Sequence, residues 1–182
     1  MAAKGYLAAF RMTKRSVTRV LKGEEAGQVL RQDYSEWYRA LFSESVRAGL
    51  LQPYHLAGHR NSPVYIRASR HVPPPPEAVN DAMAALLDLL EGEKKPIVRA
   101  VLGHWLFGFI HPYMDGNGRI ARFLMNVMMA SGGYPWTIVR VSRRKNYLDA
   151  LETASADQNI LPFAKFIREE MSVDWTKEPV RK

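Results

Sequence analysis

Apolar positions recur every three or four residues along most of this chain, which predicts a succession of helices. The clearest stripe is Ile97, Val98, Val101, Leu102, Trp105, Leu106, Phe109 and Ile110, in adjacent pairs four residues apart. Pro96 suits a first helical position, and Pro112 disfavours a helical residue before it, so this helix ends near His111. Ile120, Phe123, Leu124, Val127 and Met128 mark the next helix, which Gly132, Gly133 and Pro135 stop. The stretch 28–51 carries Tyr34, Trp37, Tyr38, Leu41, Phe42 and Val46 as core positions, with Gly49 near its end. A helix over 77–90 shows Val79, Met83, Leu86, Leu87 and Leu90 on one face, and the proline run 73–76 is a rigid turn leading into it. Arg143-Arg144-Lys145-Asn146 opens another helix with Tyr147, Leu148, Leu151 and Ala154 inward, and a last one over 162–171 packs Phe163, Phe166 and Ile167.

Two stretches break the helical period. Val64-Tyr65-Ile66-Arg67 has the composition of a strand and follows the turn formers Asn61-Ser62-Pro63, so with 68–72 it predicts a small surface hairpin. Trp136-Thr137-Ile138-Val139 is short and apolar, either extended or a buried connection.

At 182 residues the chain can fill one core. Cysteine is absent, which excludes thiol catalysis, disulfides and cysteine metal sites and fits a reducing, cytoplasmic setting. No apolar run approaches a membrane span, and no secretory leader is evident. The net charge is +8, and 1–22 holds Lys4, Arg11, Lys14, Arg15, Arg19 and Lys22 with no acid. Such a segment can be a nucleic-acid arm or a targeting peptide, but Val17, Val20 and Leu21 give it an apolar face and aromatics are scarce within it, which favours a solvated helix.

The chemistry concentrates in 111–122, His-Pro-Tyr-Met-Asp-Gly-Asn-Gly-Arg-Ile-Ala-Arg. Gly116 and Gly118 can take positive φ and leave room beside the backbone, and Asn117 adds an amide donor. A helix starting there aims free N–H groups and its positive dipole end at one place, a ready anion site. Arg119 and Arg122, three apart, flank that site with two planar forks suited to phosphate oxygens. Asp115 offers the carboxylate that holds Mg²⁺ beside phosphates, and His111 is the group able to take a proton near neutral pH. Together these residues describe phosphoryl-type transfer from a nucleotide. His104, one heptad before His111, reads as a packed or capping histidine, since carboxylates at zinc spacing are lacking.

This stretch resembles the signature of the Fic-domain family, His-Pro-Phe-x-Asp-Gly-Asn-Gly-Arg-x-x-Arg, with Tyr113 where phenylalanine is usual. The resemblance implies an all-α fold, a compact Fic-type helical bundle with a short β-hairpin flap. It divides the chain into an N-terminal helical region (1–52), a core domain (53–172) with the flap about 63–72, and a tail (173–182). The implied activity is transfer of AMP from ATP to a hydroxyl of a target protein, with Mg²⁺ as cofactor and pyrophosphate released. His111 would be the base and Asp115 the metal ligand. Gly116, Asn117 and Gly118 would hold the α-phosphate, and Arg119 and Arg122 the outer phosphates. The flap, Val64, Tyr65, Ile66 and Arg67, would pair with an extended target segment. Asn146 and Tyr147 fall in the region that borders the adenine pocket in this family.

Many family members are silenced by a helix bearing [Ser/Thr]-x-x-x-Glu-[Gly/Asn], whose glutamate pairs with the second motif arginine, here Arg122. No glutamate of this chain has Ser or Thr four residues before it; Glu91-Gly92 has Leu87. The inhibitor is then a separate antitoxin-like protein, a segment missing from this chain, or something else. Three further readings stand beside AMP transfer: a Fic enzyme with another donor or one that removes AMP, a non-enzymatic nucleotide-binding regulator, which the complete motif argues against, and a nucleic-acid module built on the basic N-terminus, which salt-dependent duplex binding would reveal.

Overall fold

The computed structural model describes residues 2–174. The expected tail falls almost wholly outside them. Among the described residues there are seven α-helices and three short 3₁₀ turns, and no strand. The helices are α1 (Ala2–Leu21), α2 (Ala26–Arg47), α3 (Val79–Gly92), α4 (Pro96–Ile110), α5 (Asn117–Ala130), α6 (Arg144–Ala156) and α7 (Leu161–Met171).

Helix α5 is the axis of the bundle. Beyond its first turn almost every residue is buried, from Ile120 and Ala121 through the run 123–130. A helix apolar on all sides belongs inside a bundle, and here α1, α2 and α4 all pack against it. Met125, Met128 and Met129 fill the irregular gaps between those neighbours with their unbranched side chains.

Helices α1 and α2 form an antiparallel pair. A Cβ at Gly5 would run into the Leu41 carbonyl, so glycine is what lets the two backbones approach. Farther along, the buried Trp37 indole donates to Ser16 Oγ (3.2 Å), and Ser16 donates to Asp33 (2.6 Å). Arg19 bonds both Asp33 and Glu24. Lys4, Arg11, Lys14, Arg15 and Lys22 lie on the exposed face. The basic segment is thus a helix with its small residues inward and five of its cations in water.

The β-hairpin is a correction. The residues Val64, Tyr65, Ile66 and Arg67 form no strand. A strand needs a neighbour for its N–H and C=O groups, and an isolated two-stranded ribbon is marginal in water. Here Ser69 N–H closes a turn on Ile66 O (3.1 Å), with Ala68 at φ 59°. The return half is then moored to α6: Glu152 accepts from the Ser69 hydroxyl and from Arg70 N–H (2.8 Å). Side-chain bonds replace the ladder, and 61–75 is a moored loop.

Candidate active site

Helix α4 ends where the sequence predicts, and its cap is the site. His111 follows the last helical residue in the left-handed conformation (φ 52°, ψ 58°), its N–H still bonded to Phe107 O (3.0 Å). For a non-glycine residue that conformation costs about 1–2 kcal/mol. Arg60 helps to hold it, since its Nε donates to His111 O (2.8 Å). The half-buried ring turns back so that Nδ1 lies 3.2 Å from Gly108 O. A carbonyl only accepts, so Nδ1 carries the proton of the neutral ring and Nε2 is left with its lone pair. Burial pushes the His111 pKa below its ordinary value; Arg60 and His71 act the same way, and the Gly108 bond and Asp115 oppose them.

The loop after His111 is tied by two side chains. Asn117 accepts from Tyr113 N–H (3.0 Å) and donates to Tyr113 O (2.7 Å), closing 113–117 into a ring and leaving one amide hydrogen over. Asp115 accepts from Gly116 N–H (2.6 Å) through one oxygen and from Arg119 (2.8 Å) through the other. Tyr113 anchors the loop from beneath, stacked on Tyr38 with ring centroids 3.6 Å apart. Burial raises its hydroxyl pKa, so the phenol stays neutral.

Gly116 has φ 87°, and a Cβ there would come within 3.0 Å of the Phe42 ring. Both the conformation and the space require glycine. Gly118 differs from expectation: it lies inside the first turn of α5 rather than at positive φ. Its value is room, since a Cβ there would meet nothing nearer than the tip of Arg122 (3.5 Å). Arg119 N–H and Ile120 N–H both bond Gly116 O (3.0 Å each), which leaves the Asn117 and Gly118 amides as the donors at the helix mouth where an anion would sit.

These groups open on a cavity of about 1180 Å³. His111, Asn117, Gly118, Arg119 and Arg122 line one side, Ile66 and Arg67 overhang it, and Tyr147 lines the α6 side. Asp115 stays outside the lining with its side chain 72% exposed, and Gly116 is buried against α2. Asn146, Val64 and Tyr65 also lie outside the lining, and Tyr65 points into solvent. Arg119 sits over the Phe42 ring (5.3 Å to its centroid) as well as on Asp115. Arg122 makes no ion pair among the described residues; its positive charge acts on the buried Tyr147 hydroxyl, whose pKa burial raises and Arg122 pulls back down.

Behind Arg122 is a buried polar chain that sequence reasoning missed. The Tyr147 hydroxyl lies 2.8 Å from His104 Nε2, and His104 Nδ1 lies 3.3 Å from Met125 Sδ. Burial and Arg122 push the His104 pKa down to about 3, so the ring is neutral and structural, as its spacing suggested. Asn126, the one amide in the buried stretch of α5, bonds Arg122 O (2.9 Å), Thr137 O (3.0 Å) and Thr137 N–H (2.7 Å). It thereby fastens the 136–140 connection to the helix that carries Arg122. A polar residue within an apolar stripe was its only signal.

Among the described residues no cluster of three metal-binding side chains occurs. A single exposed carboxylate fits Mg²⁺ that arrives with a nucleotide, because that ion keeps waters and takes one or two carboxylates plus phosphate oxygens. No described helix is long and apolar enough to cross a membrane.

The model of the Fic/DOC family matches residues 28–129. Protein adenylyltransferase Fic of Nematostella vectensis is 37% identical over 123 residues, covering 65% of this chain and 28% of the relative. Protein adenylyltransferase fic-1 of Caenorhabditis elegans is 30% identical over 151 residues, covering 81% of this chain and again 28% of the relative. The solved structure of C. elegans Fic-1 (residues 134–508) superposes with a TM-score of 0.75 at 26% identity, over 93% of this chain and 48% of that one. The chain therefore spans little more than a quarter of the curated relatives it matches.

Proposed function

The chain belongs to the Fic/DOC family, and from that premise we propose that it is a protein adenylyltransferase, moving AMP from ATP to a Ser, Thr or Tyr hydroxyl of a target protein. The observation that carries the reading is that one cavity is lined by the His111 ring, the mouth of α5 and Arg122. A proton acceptor and an anion cradle face the same space.

His111 Nε2 takes the proton of the incoming hydroxyl, whose oxygen forms the bond to the α-phosphorus while the bond to the pyrophosphate oxygen breaks. The spare amide hydrogen of Asn117 and the backbone amides of Asn117 and Gly118 hold the α-phosphate, and Arg119 and Arg122 take the charge that develops on the leaving group. Mg²⁺, held by Asp115 and phosphate oxygens, would add neutralisation of that same charge. For Asp115 to serve the metal, its bond to Arg119 opens, which frees that arginine for phosphate. Ile66 and Arg67 lie where a target segment would pass, and Tyr147 lines the wall left for the base.

Restraint would come from a glutamate offered to Arg122 by an antitoxin-like protein or by a segment outside this chain. AutoAMPylation by the isolated chain is then expected. The deciding experiment is intact-mass spectrometry after incubation with ATP and Mg²⁺, alone and with a cell lysate. An AMP adduct on this chain or on a lysate protein supports the reading, and adducts formed instead with another nucleotide in competition would replace the donor. No adduct under any donor overturns it.

A further inference from the structure

Arg60 stands outside the motif and outside the cavity, yet it bonds the main chain of the base and of the residue on either side of it. Its side chain is buried (residue 6% exposed) and pairs with no carboxylate among the described residues. All of its partners are main-chain carbonyls. Nε donates to His111 O (2.8 Å), one terminal nitrogen donates to Ser62 O (3.1 Å), and the other to Pro74 O and, at 3.4 Å, Ile110 O. Its own N–H donates to Pro112 O (2.8 Å). A single guanidinium thus bonds the end of α4, the base itself, and both ends of the loop that carries Ile66 and Arg67.

We infer that Arg60 is a positioning residue, which fixes the angle of the His111 ring and keeps the overhanging loop in register with it. This rests on the reading of His111 as the base. Only a rigid planar fork with five donors reaches carbonyls on three sides at once; a lysine has three donors on one atom. Because His111 is left-handed, its carbonyl points away from the α4 ladder and needs an outside donor, which Arg60 supplies. A tilt of the ring by even about 1 Å at Nε2 would lower the rate roughly a hundredfold.

The same cation bears on the charge of the ring. The charged groups facing His111 are Arg60, His71 from the loop (its Nε2 2.8 Å from Phe109 O) and, opposing them, Asp115, itself held by Arg119. Arg60 is the permanent cation of this set, so it disfavours a second positive charge on the resting imidazole.

The test uses the full chain with Arg60→Lys and Arg60→Gln, each rate divided by the folded fraction at the assay temperature. Both variants are expected to lose at least tenfold in kcat for AMP transfer while KM for ATP stays within twofold, since Arg60 lies outside the cavity lining. An NMR titration of ¹⁵N-labelled His111 supplies a readout free of activity: its midpoint should rise in Arg60→Gln, and less in Arg60→Lys. Unchanged kcat per folded molecule together with an unchanged midpoint overturns the inference. So does a variant that is unfolded under these conditions, since Arg60 would then serve folding alone. If the unmodified chain transfers no AMP, the proposed function falls, but the His111 titration still decides the role of Arg60.

Discussion

His111 Nδ1 lies 3.2 Å from the carbonyl of Gly108, one turn back on α4, and that bond selects which ring nitrogen is basic. The proton must sit on Nδ1, so Nε2 is the acceptor, and burial together with Arg60 and His71 keeps the ring from charging at rest. Transfer should therefore rise with pH and reach its plateau early, with a midpoint below the ordinary 6.5. The linkage has the matching sign. The unfolded ring takes up a proton that the folded ring refuses, so this contribution to stability is complete above 6.5 and is lost as pH falls through the lower folded value. His111→Ala should abolish transfer and leave ATP binding and Tm nearly unchanged; retained transfer of labelled AMP would exclude this base.

Asp115 is a surface group with a functional partner. Its ion pair with Arg119 is exposed and contributes within about 1 kcal/mol. Asp115→Asn keeps an acceptor for Gly116 N–H, so the loop and Tm should hold. Calorimetric titration with ATP should then show the Mg²⁺ enhancement of affinity reduced about tenfold or more, consistent with the loss of the one carboxylate near the phosphates. Equal enhancement in variant and parent would remove Asp115 from the metal's ligands.

Tyr147 aims Arg122. Thioether sulfur is a weak acceptor, so His104 Nδ1–H points at Met125 and Nε2 accepts the Tyr147 proton, which leaves the lone pairs of the phenol oxygen within the field of Arg122. Since burial and Arg122 hold His104 neutral down to about pH 3, this chain of bonds does not change with pH across the working range. Tyr147→Phe removes the central oxygen and should weaken ATP binding by about 1 kcal/mol, roughly fivefold. A fluorescent-nucleotide competition assay reads it, and an unchanged affinity would mean that Arg122 needs no such support.

The reach of the sequence can be judged from these residues. Helices α4 and α5 and the His111 cap are legible because each depends on neighbours a few positions away: an apolar stripe, a following proline, a glycine at the helix mouth. Gly118 lies inside α5 because the helix starts at Asn117, two residues before a start placed after both glycines. The strand at 64–67 failed for a different reason. Strand composition reports fitness for a pleated surface and cannot say whether a partner strand exists. Arg60 and Glu152 left no trace, since His111 O and Arg70 N–H lie 51 and 82 residues away from them, and for Arg60 every partner is a main-chain atom, which carries no residue identity.

Glu152 decides how the overhanging loop behaves. One of its oxygens accepts the Ser69 hydroxyl, the other accepts Arg70 N–H (2.8 Å) and Nε (3.2 Å), and Arg70 also reaches Asp157. The Ser69 bond, helped by Arg70, holds the Glu152 pKa below its ordinary 4.5. The mooring is therefore complete above 4.5 and is lost as pH falls through the folded value. Glu152→Gln has one acceptor oxygen where two are needed and no charge for Arg70. The loss should open the loop locally by about 1–2 kcal/mol. Amide exchange at residues 66–71 should speed up roughly tenfold while α4 and α5 keep their protection and Tm moves little, because the loop contributes little to the core. Modification of a separate target should suffer more than autoAMPylation, since only the former needs the loop as a stable guide for an incoming segment. If exchange at 66–71 is as slow as in the parent, the loop is held by Arg60 and the prolines, and Glu152 is incidental to it.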